Sequence, residues 1–405
     1  MIDKLIDKHI EKSYARLCEK EYQLPDVYKP LTYTWQGDWE GRALLAYCCL
    51  YSVTGKKNPA MDEFIKVYPE KCNEEGFLGK LFDAEEVDEQ QLSGHNWLIS
   101  GMVEYYKLFG DKSALKHAES IFNNLYKKAT ASIVNYPVKR DKANVGGVSG
   151  THTGLILNKW RVSSDVGCVS MCIDGVSRYY EVTKDENAKA FLDTTINMFY
   201  NFDKRAARAQ THTTLTATRG IFRMYKVTGD KKYFNIALDM FNLYLEHGMT
   251  YTYENFNWFE RKDTWTEPCA VVDSFMLADM FYEETGDKKY LTLLRRIFFN
   301  GLNHCHRDNG GVGTSKTVYE ENNYAGMGSH YEAVFCCTMR YCEGLITINK
   351  NRDNLAFNQN APIIKDELGR RFKDDALVIQ NENGEDLMAF DLAFQEKNDR
   401  KYKVF

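Results

Sequence analysis

The chain has 405 residues, of which 44% are hydrophobic and 27% are charged, and this composition is typical of a globular protein. Its 52 basic and 57 acidic residues give a formal net charge of −5 at pH 7, so the chain lacks the positive excess that nucleic-acid binding needs. No segment approaches the roughly 18 consecutive apolar residues of a membrane-spanning helix. We therefore expect neither nucleic acid nor a membrane as a partner.

The first predicted element is a helix over residues 1–17, where charged and apolar residues alternate at helical spacing. This segment lacks the apolar block of a signal peptide, so we expect a cytoplasmic protein. The 11 cysteines agree with that expectation. Two pairs, Cys48-Cys49 and Cys336-Cys337, are adjacent in the chain; adjacent cysteines rarely bridge each other, and cytosolic thiols stay reduced.

A short motif recurs five times, each time after an apolar helical run. It consists of a tyrosine, three further residues and then a glycine (a lysine in one copy), and the five tyrosines are Tyr51, Tyr106, Tyr180, Tyr225 and Tyr282. Glycine accepts the left-handed backbone conformation that ends a helix, and a new helical pattern follows each copy. Each copy therefore predicts the tip of an antiparallel helical hairpin. A weaker sixth unit begins at Cys336.

The spacing of this motif favours a closed barrel over an open solenoid. Solenoid repeats keep a nearly constant period, whereas successive tyrosines lie 55, 74, 45 and 57 residues apart (106−51, 180−106, 225−180, 282−225). Variable insertions gathered on one rim of a double ring of helices are typical of an (α/α)6 barrel. We predict an all-α fold with an (α/α)6 barrel of helical hairpins over residues 1–353, and the solenoid is the alternative.

The pattern changes at about residue 354. Residues 354–405 contain short alternating apolar runs and an Asn-Glu-Asn-Gly turn, a pattern that is typical of β-strands. About 50 residues are enough for a small sheet but short for a full second domain. The sequence therefore predicts a small C-terminal β-strand appendage on the helical barrel.

Polar and aromatic residues recur near the predicted start of the first helix of each hairpin. Counting back from the repeat tyrosines gives Asp38, His95, Asp165 and His212, and Trp97 and Trp265 lie beside such positions. Because the same ends of successive helices share one rim, these residues predict a substrate-binding cleft. The alternatives are that the aspartates are plain helix caps and that the histidines are hydrogen-bonded core residues.

One combination of residues points to a metal. The segment Glu267-Pro268-Cys269 and the pair Cys336-Cys337 together supply three potential thiolates and one carboxylate. Four such ligands suffice for a tetrahedral zinc site, and thiolates favour zinc over magnesium or calcium. The spacing is not that of a zinc finger, so the alternative is that the cysteines are small core residues and that Glu267 caps a helix.

The residues from 263 to 302 carry a resemblance to a known family. They contain Asp-Thr-Trp-Thr-Glu-Pro-Cys, a long helical run and then Arg-Ile-Phe-Phe-Asn-Gly, and the adjacent cysteines at 336 and 337 follow. Together with residues 94–111, this order of motifs resembles the β-L-arabinofuranosidase family, glycoside hydrolase family 127 and its relatives. Pro268 stands where the family has threonine. The resemblance spans most of residues 90–350 and implies an (α/α)6 barrel.

The resemblance also implies site residues. Zinc would be held by Glu267, Cys269, Cys336 and Cys337. Cys336 would be the nucleophile of a retaining mechanism. The acid/base glutamate of the family corresponds best to Glu254, with Glu260 as a rival, and His95 matches a histidine near the family's sugar site.

We therefore expect a retaining glycoside hydrolase that cleaves a terminal β-L-arabinofuranoside or a similar sugar from a glycoside or oligosaccharide, through a zinc-bound cysteine. One alternative is a metal-free sugar epimerase on the same barrel, with His95 and His212 as acid and base. Another is a non-catalytic carbohydrate-binding or scaffold protein with a structural zinc, because a fold does not determine a function. Homo-oligomer formation is left open.

Overall fold

The computed structural model describes residues 2–82, 86–140, 150–315, 318–320, 323–325, 329–381, 383–391 and 401–404. Most of this part of the chain is helical. The α-helices, in chain order, are α1 (Ile2–Leu17), α2 (Asp38–Thr54), α3 (Met61–Lys71), α4 (Glu89–Phe109), α5 (Lys112–Ile121), α6 (Lys127–Ile133), α7 (Cys172–Thr183), α8 (Glu186–Asn201), α9 (Thr211–Thr228), α10 (Lys231–His247), α11 (Pro268–Thr285), α12 (Lys288–Ile297) and α13 (Cys337–Lys350). Short π-helical segments continue α5 and α12.

Within the described residues, six helices form a closed inner ring. Helix α2 packs against α4, α4 against α7, α7 against α9, α9 against α11 and α11 against α13, and α13 packs against α2. The last contact closes the ring, which confirms the predicted (α/α)6 barrel and excludes the open solenoid.

The remaining helices lie outside this ring. Six of them each pack against an inner helix, namely α1, α3, α5, α8, α10 and α12, whereas α6 packs against the outer helix α8. Their amphipathic pattern explains this position: in α12, for example, Tyr290, Leu294 and Ile297 are buried at helical spacing while the opposite face is charged. Helix α1 packs against α13 and α2. Helices α1 and α13, which lie at opposite ends of the helical region of the chain, therefore form the sixth pair of the double ring.

The repeated motif ends the inner helices as predicted. In four copies the glycine after the repeat tyrosine has a positive φ, and in the third copy Lys184 takes that role with φ 55°. In each copy the backbone N–H of this residue donates to the carbonyl oxygen of the repeat tyrosine; the donors are Gly55, Gly110, Lys184, Gly229 and Gly286. In four copies the next residue is an aspartate whose side chain caps the following outer helix; these residues are Asp111, Asp185, Asp230 and Asp287.

The strands form small sheets outside the double ring. They are β1 (Val87–Asp88), β2 (His152–Leu157), β3 (Trp160–Ser163), β4 (Gly313–Ser315), β5 (Val318–Glu320), β6 (Asn323–Ala325), β7 (Ser329–Glu332), β8 (Ile363–Lys365), β9 (Arg371–Lys373), β10 (Ala376–Gln380), β11 (Asp386–Met388) and β12 (Lys401–Val404). The first three form a sheet of order β1-β3-β2, and β4 pairs with β7.

The largest sheet has the order β5-β6-β12-β10-β9-β8, with β11 paired to β10. It contains the strands predicted after residue 354 and also β5 and β6 from before that point, so the boundary at residue 353 stays a prediction. The sheet is anchored to the barrel through Asn300, whose amide donates to the carbonyl of Asp375 and accepts from the N–H of Leu377. Among the described residues, none of the helices is both long and apolar enough to cross a membrane.

Candidate active site

The amino-terminal ends of inner helices surround a cavity of about 540 Å³, a size within the range of small-molecule sites. Helices α2, α9 and α13 and the segment before α11 contribute side chains to its wall. The predicted residues that line it are Asp38, Asp165, His212, Trp265, Glu267, Cys336 and Cys337. One cavity therefore holds several of the predicted substrate-binding residues together with predicted metal ligands.

The predicted metal ligands meet because two neighbouring inner helices begin at the same place. Glu267 directly precedes α11, and Pro268 takes the first helical position, where the absent N–H removes no helical hydrogen bond. Cys336 directly precedes α13. Helix amino termini present unpaired N–H groups and favour negative charge. A cluster of carboxylate and thiolate ligands is therefore placed where the backbone stabilises it.

The four side chains form a compact group. One ligand atom from each of Glu267, Cys269, Cys336 and Cys337 lies within 4.8 Å of all the others. The Sγ atom of Cys337 is 3.3 Å from that of Cys269 and 3.5 Å from that of Cys336. Cys336 and Cys337 both line the cavity, and Cys336 is 8% exposed, compared with 1% for Cys337 and 0% for Cys269. Cys336 is thus the most accessible cysteine of the cluster.

The environment of these thiols favours their protonated form. Burial raises the pKa of the Cys269 and Cys337 thiols well above the usual value of 9. A hydrogen bond with Cys269 lowers the pKa of Cys336. A hydrogen bond with Cys337 and burial raise it, and the net pKa of Cys336 is also well above the usual value. Three thiols and a carboxylate at these separations fit the ligand set of a tetrahedral zinc, whose charge would offset the cost of ionising buried thiols.

Side chains from the start of α9 hold Glu267. Gln210 Nε2 donates to Glu267 Oε2 over 3.2 Å, and His212 Nδ1 lies 3.2 Å from Glu267 Oε1. The other ring nitrogen of His212 lies 3.6 Å from Asp273 Oδ2. Both carboxylate oxygens of Glu267 therefore have a neighbour on α9, and His212 lies between two carboxylates.

Asp273 connects this site to a buried network of charged side chains inside the barrel. It accepts from Arg219 over 3.0 Å and from Arg340, and both arginines also pair with Glu343. Asp273 is fully buried, and although burial raises its pKa, Arg340 and Arg219 lower the pKa to a net value below the usual range. The network fixes the floor beneath His212.

Two further carboxylates line the cavity. Both oxygens of Asp38 accept from Arg42 Nε, over 2.9 and 3.0 Å, and burial raises the pKa of Asp38 despite this ion pair. Asp165 accepts from the indole N–H of Trp258 over 3.0 Å and from the backbone N–H of Gly150 over 2.7 Å. These groups give the cavity acceptors suited to sugar hydroxyls.

A model of the β-L-arabinofuranosidase GH127 catalytic domain matches residues 3–350. The chain belongs to this family. This membership confirms the resemblance to the β-L-arabinofuranosidase family that was expected from the sequence. The comparison with curated proteins gave no match.

Solved structures share the fold of this GH127 chain at low identity. A GH127 β-arabinofuranosidase is 12% identical with a TM-score of 0.53, and the match covers 93% of the chain and 62% of that structure. A GH127 β-L-arabinofuranosidase from Geobacillus stearothermophilus T6 is 12% identical with a TM-score of 0.50, covering 98% and 74%. A sugar epimerase from a ruminal bacterium is 15% identical with a TM-score of 0.57, covering 86% and 99%. The chain spans 55% and 62% of the length of two of the matched glycoside hydrolases.

The structure does not bring all predicted site residues of this GH127 chain together. His95 is fully buried away from the cavity lining; its Nδ1 lies 2.8 Å from the carbonyl of Gln91, and its Nε2 accepts from the N–H of Leu78 over 3.0 Å. Burial lowers the pKa of His95 to about 4. Trp97 is also fully buried, with Arg42 over its ring. His95 and Trp97 are therefore buried outside the cavity lining, and their expected substrate contacts stay predictions.

Neither predicted acid/base glutamate lines the cavity. Glu254 is fully buried, with Oε1 2.9 Å from His304 Nε2 and Oε2 accepting from the hydroxyl of Thr252 over 3.1 Å. Glu260 is exposed, pairs with Arg205 and borders a separate surface groove. The segment carrying Glu254 folds back on itself through a bridge between residues 249 and 255, which directs this side chain into the wall.

Sequence reasoning missed several residues of the cavity. Arg42 follows Asp38 by one helical turn, so the spacing of an ion pair on one helix face could have identified it. Gln210 precedes His212 by two residues and shares its contact with Glu267. Phe335 gave no such signal, because only the fold shows that it borders the cavity rather than the core.

Proposed function

We propose that the chain is a retaining glycoside hydrolase that removes a terminal β-L-arabinofuranosyl group or a similar sugar, with Cys336 as the nucleophile. One observation carries the proposal: of the three cysteines clustered with Glu267, Cys336 is the most exposed, at 8% against 1% for Cys337 and 0% for Cys269, and it lines the cavity. The membership in a family of glycosidases supports the reaction class.

The cluster would hold one zinc ion through Glu267, Cys269, Cys336 and Cys337. A bound zinc would keep the thiols in their thiolate form near neutral pH. The chain's own contribution is to fix the ligands: Gln210 and His212 orient the carboxylate of Glu267, and the helix amino termini favour the negative charge.

The reaction would proceed by two displacements at the anomeric carbon. In the first, the Cys336 sulfur attacks this carbon, and the bond to the leaving oxygen breaks as that oxygen takes a proton from a carboxylic acid. In the second, the resulting carboxylate removes a proton from water, whose oxygen displaces the cysteine sulfur from the sugar. Two inversions retain the configuration of the anomeric carbon.

The proton donor is the part of the mechanism with two candidates. Glu254 carries the family resemblance, but its side chain would have to leave His304 and turn out of the wall. Asp38 already lines the cavity, and burial raises its pKa, which favours the protonated form that a general acid needs. We propose Glu254 as the proton donor on the basis of the family resemblance, and Asp38 as the alternative donor on the basis of its position in the cavity.

The metal-free epimerase is the weaker candidate function. It needs His95 and His212 on the substrate, yet both nitrogens of His95 are engaged by backbone groups in the core. The non-catalytic alternative leaves the exposure of Cys336 to the cavity without a role. Both alternatives predict that Cys336 is dispensable for any sugar chemistry.

The test is replacement of Cys336 by alanine, assayed with p-nitrophenyl β-L-arabinofuranoside and a panel of related aryl glycosides. We expect turnover to fall by about a thousandfold or more, while far-ultraviolet circular dichroism stays unchanged. Elemental analysis of the unaltered protein should give one zinc per chain.

Cys342 provides a matched control, because it is a buried cysteine on α13 outside the cluster. Cys342→Ala should keep both activity and zinc. Hydrolysis by Cys336→Ala at the rate of the unaltered enzyme would exclude the proposed nucleophile, and full activity of a protein without zinc would exclude the proposed ligand cluster.

A further inference from the structure

A second group of side chains that can ligate a metal lies outside the cavity. Glu254, His304 and Cys305 each offer one ligand atom, and these three atoms lie within 4.8 Å of one another. Glu254 comes from the segment before α11, whereas the other two come from a short 3-10 helix, Asn303–Cys305, that follows the π-helical end of α12. The lining of the cavity includes none of the three. We call these three residues the wall cluster.

The wall cluster is buried. Glu254 is 0% exposed, Cys305 is 1% exposed and His304 is 6% exposed. Moving a carboxylate, an imidazole and a thiol out of water costs free energy unless other groups replace the lost hydration, so buried groups of this kind are paired or coordinate a metal. The contacts of the three side chains show how far pairing within the protein meets this need.

Hydrogen bonds satisfy only part of the wall cluster. His304 Nε2 lies 2.9 Å from Glu254 Oε1, and the Thr252 hydroxyl donates to Glu254 Oε2 over 3.1 Å. The Cys305 thiol donates to the carbonyl of Gly301 over 3.3 Å. The second ring nitrogen of His304, Nδ1, is buried and has no hydrogen-bond partner within the described part of the chain. Such buried polar atoms are rare in folded proteins and indicate a missing ligand.

An ion pair between His304 and Glu254 explains one contact of the wall cluster. Burial lowers the pKa of His304, but Cys305 and Glu254 raise it to a net value of about 10, so a protonated imidazole can pair with the carboxylate. This pair uses Nε2 and leaves the N–H at Nδ1 buried without an acceptor. A divalent cation would instead engage an oxygen, a nitrogen and a sulfur at once.

The donor set of the wall cluster selects the class of metal. Imidazole and thiolate ligands suit zinc and similar transition metals, whereas magnesium and calcium prefer oxygen ligands. Zinc commonly takes three protein ligands and a water in tetrahedral geometry. The wall cluster supplies three ligands, and the Thr252 hydroxyl beside Glu254 is a further oxygen near the fourth position.

We propose that Glu254, His304 and Cys305 form a second metal site for a divalent cation of the zinc class, separate from the cluster at Glu267. This site has one protein ligand fewer than the Glu267 cluster, so we expect it to bind more weakly and to fill on titration. A metal at this site would hold the Glu254 carboxylate in the wall and would inhibit any reaction that uses Glu254 as proton donor. The inference goes beyond the proposed function, because neither the nucleophile nor the Glu267 cluster belongs to the site.

The experiment titrates Co²⁺, a spectroscopic substitute for zinc, into the full chain that already holds one equivalent of zinc. We expect one further equivalent to bind and to give the near-ultraviolet charge-transfer band of a cobalt–thiolate bond. Cys305→Ala should abolish this band and raise the Kd of the second equivalent by about 10- to 100-fold or more. Cys342→Ala is the matched control, because Cys342 is a buried cysteine outside both clusters, and it should bind cobalt as the unaltered chain does.

Absence of a second equivalent in the unaltered chain would overturn the second site, and so would an unchanged cobalt–thiolate band in Cys305→Ala. Far-ultraviolet circular dichroism checks that the variant is folded. If Cys305→Ala does not fold, His304→Gln decides by the same titration, because glutamine keeps hydrogen-bonding groups but lacks the imidazole ligand. Turnover by Cys336→Ala decides the proposed function and the cobalt titration decides this inference, so the failure of one leaves the other standing.

Discussion

His212 lies between the cavity and the charged interior of the barrel. One ring nitrogen is 3.2 Å from Glu267, a proposed zinc ligand, and the other faces Asp273. Asp273 is held in turn by Arg219 and Arg340. Through these contacts, the orientation of Glu267 depends on a buried network of charged side chains. At the residue scale, His212 is a positioning residue for the ligand cluster.

We predict that His212→Ala weakens zinc binding by about 10- to 100-fold, as is typical when a partner of a metal ligand is lost. The measurement is competition for zinc with a chelator of known affinity, with KM for the aryl glycoside measured in parallel. His117→Ala is the control, because His117 lies on the outer helix α5. A rise in KM with unchanged zinc affinity would instead assign His212 to substrate binding.

The four predicted metal ligands lie together, whereas His95 lies outside the cavity lining, and helix geometry explains the difference. Glu267, Cys269, Cys336 and Cys337 are within two residues of a helix start, where position along the chain also sets depth in the barrel. His95 is six residues beyond the first residue of α4, which starts at Glu89. At 1.5 Å per residue, this places His95 about 9 Å below the rim. Counting from the repeat tyrosine could not reveal this, because α4 is longer than its counterparts.

At the scale of the elements, neighbouring residues determine where each helical hairpin turns. Contacts between distant residues determine how the elements pack. A positive φ after the repeat tyrosine and an aspartate cap require only neighbouring residues, so the sequence predicted both helix ends. In the sheet of β1, β3 and β2, strand β1 pairs with β3 across 73 positions (160−87), as Val87 does with Trp160. No local pattern marks such a pairing, and this sheet was not predicted.

Helices α2 and α4 approach closely at Gly41. A Cβ atom at this position would lie 2.0 Å from the backbone nitrogen of Leu98, and backbone atoms cannot move aside as a flexible side chain can. We predict that Gly41→Ala lowers the free energy of unfolding by about 1–3 kcal/mol or more through overpacking, despite the better helix propensity of alanine. The measurement is urea denaturation.

Gly344→Ala is the matched control for this prediction. Gly344 also lies in an inner helix, α13, but the three heavy atoms nearest to an added Cβ all belong to the side chain of Val272, the first of them at 3.1 Å. This variant gains the same helix propensity, so its stability should stay close to that of the unaltered chain or rise slightly. Equal destabilisation by both substitutions would show that the close approach at Gly41 is not what limits the packing.

At the scale of the whole molecule, the barrel is closed by helices from opposite ends of the helical region. Helix α1 packs against α13, and buried histidines lie in this contact. His9 Nδ1 is 2.9 Å from the hydroxyl of Tyr341, and the His9 ring stacks on that of His306 with centroids 4.0 Å apart. His306 Nε2 is 3.0 Å from the hydroxyl of Ser13. The sequence predicted α1 as a helix but not as the partner of α13.

Both histidines are held in the neutral form. Burial, followed by the positive charges of Lys8 and Lys12, lowers the pKa of His9 to about 3. Burial and the neighbouring His9 also lower the pKa of His306 well below the usual 6.5. Asp308 pairs with both lysines and stays ionised, because Lys12 lowers its pKa. A histidine with a depressed pKa stabilises the fold above pH 6.5, and this contribution is lost as the pH falls from 6.5 toward 3.

We therefore predict that mild acid loosens the contact between α1 and α13 before it unfolds the rest of the barrel. Hydrogen exchange, corrected for the intrinsic effect of pH, should show less protection in α1 at pH 5 than at pH 7, while α10 stays protected. In a His9→Gln, His306→Gln double variant, glutamine keeps hydrogen-bonding groups but does not titrate, so protection of α1 should be the same at both pH values. An equal loss of protection in the variant would assign the acid sensitivity to other groups, such as buried His95, whose pKa is also lowered, to about 4. Because Cys336 directly precedes α13 and Cys337 is its first residue, loss of this contact should also lower the retention of the proposed zinc in the same pH range.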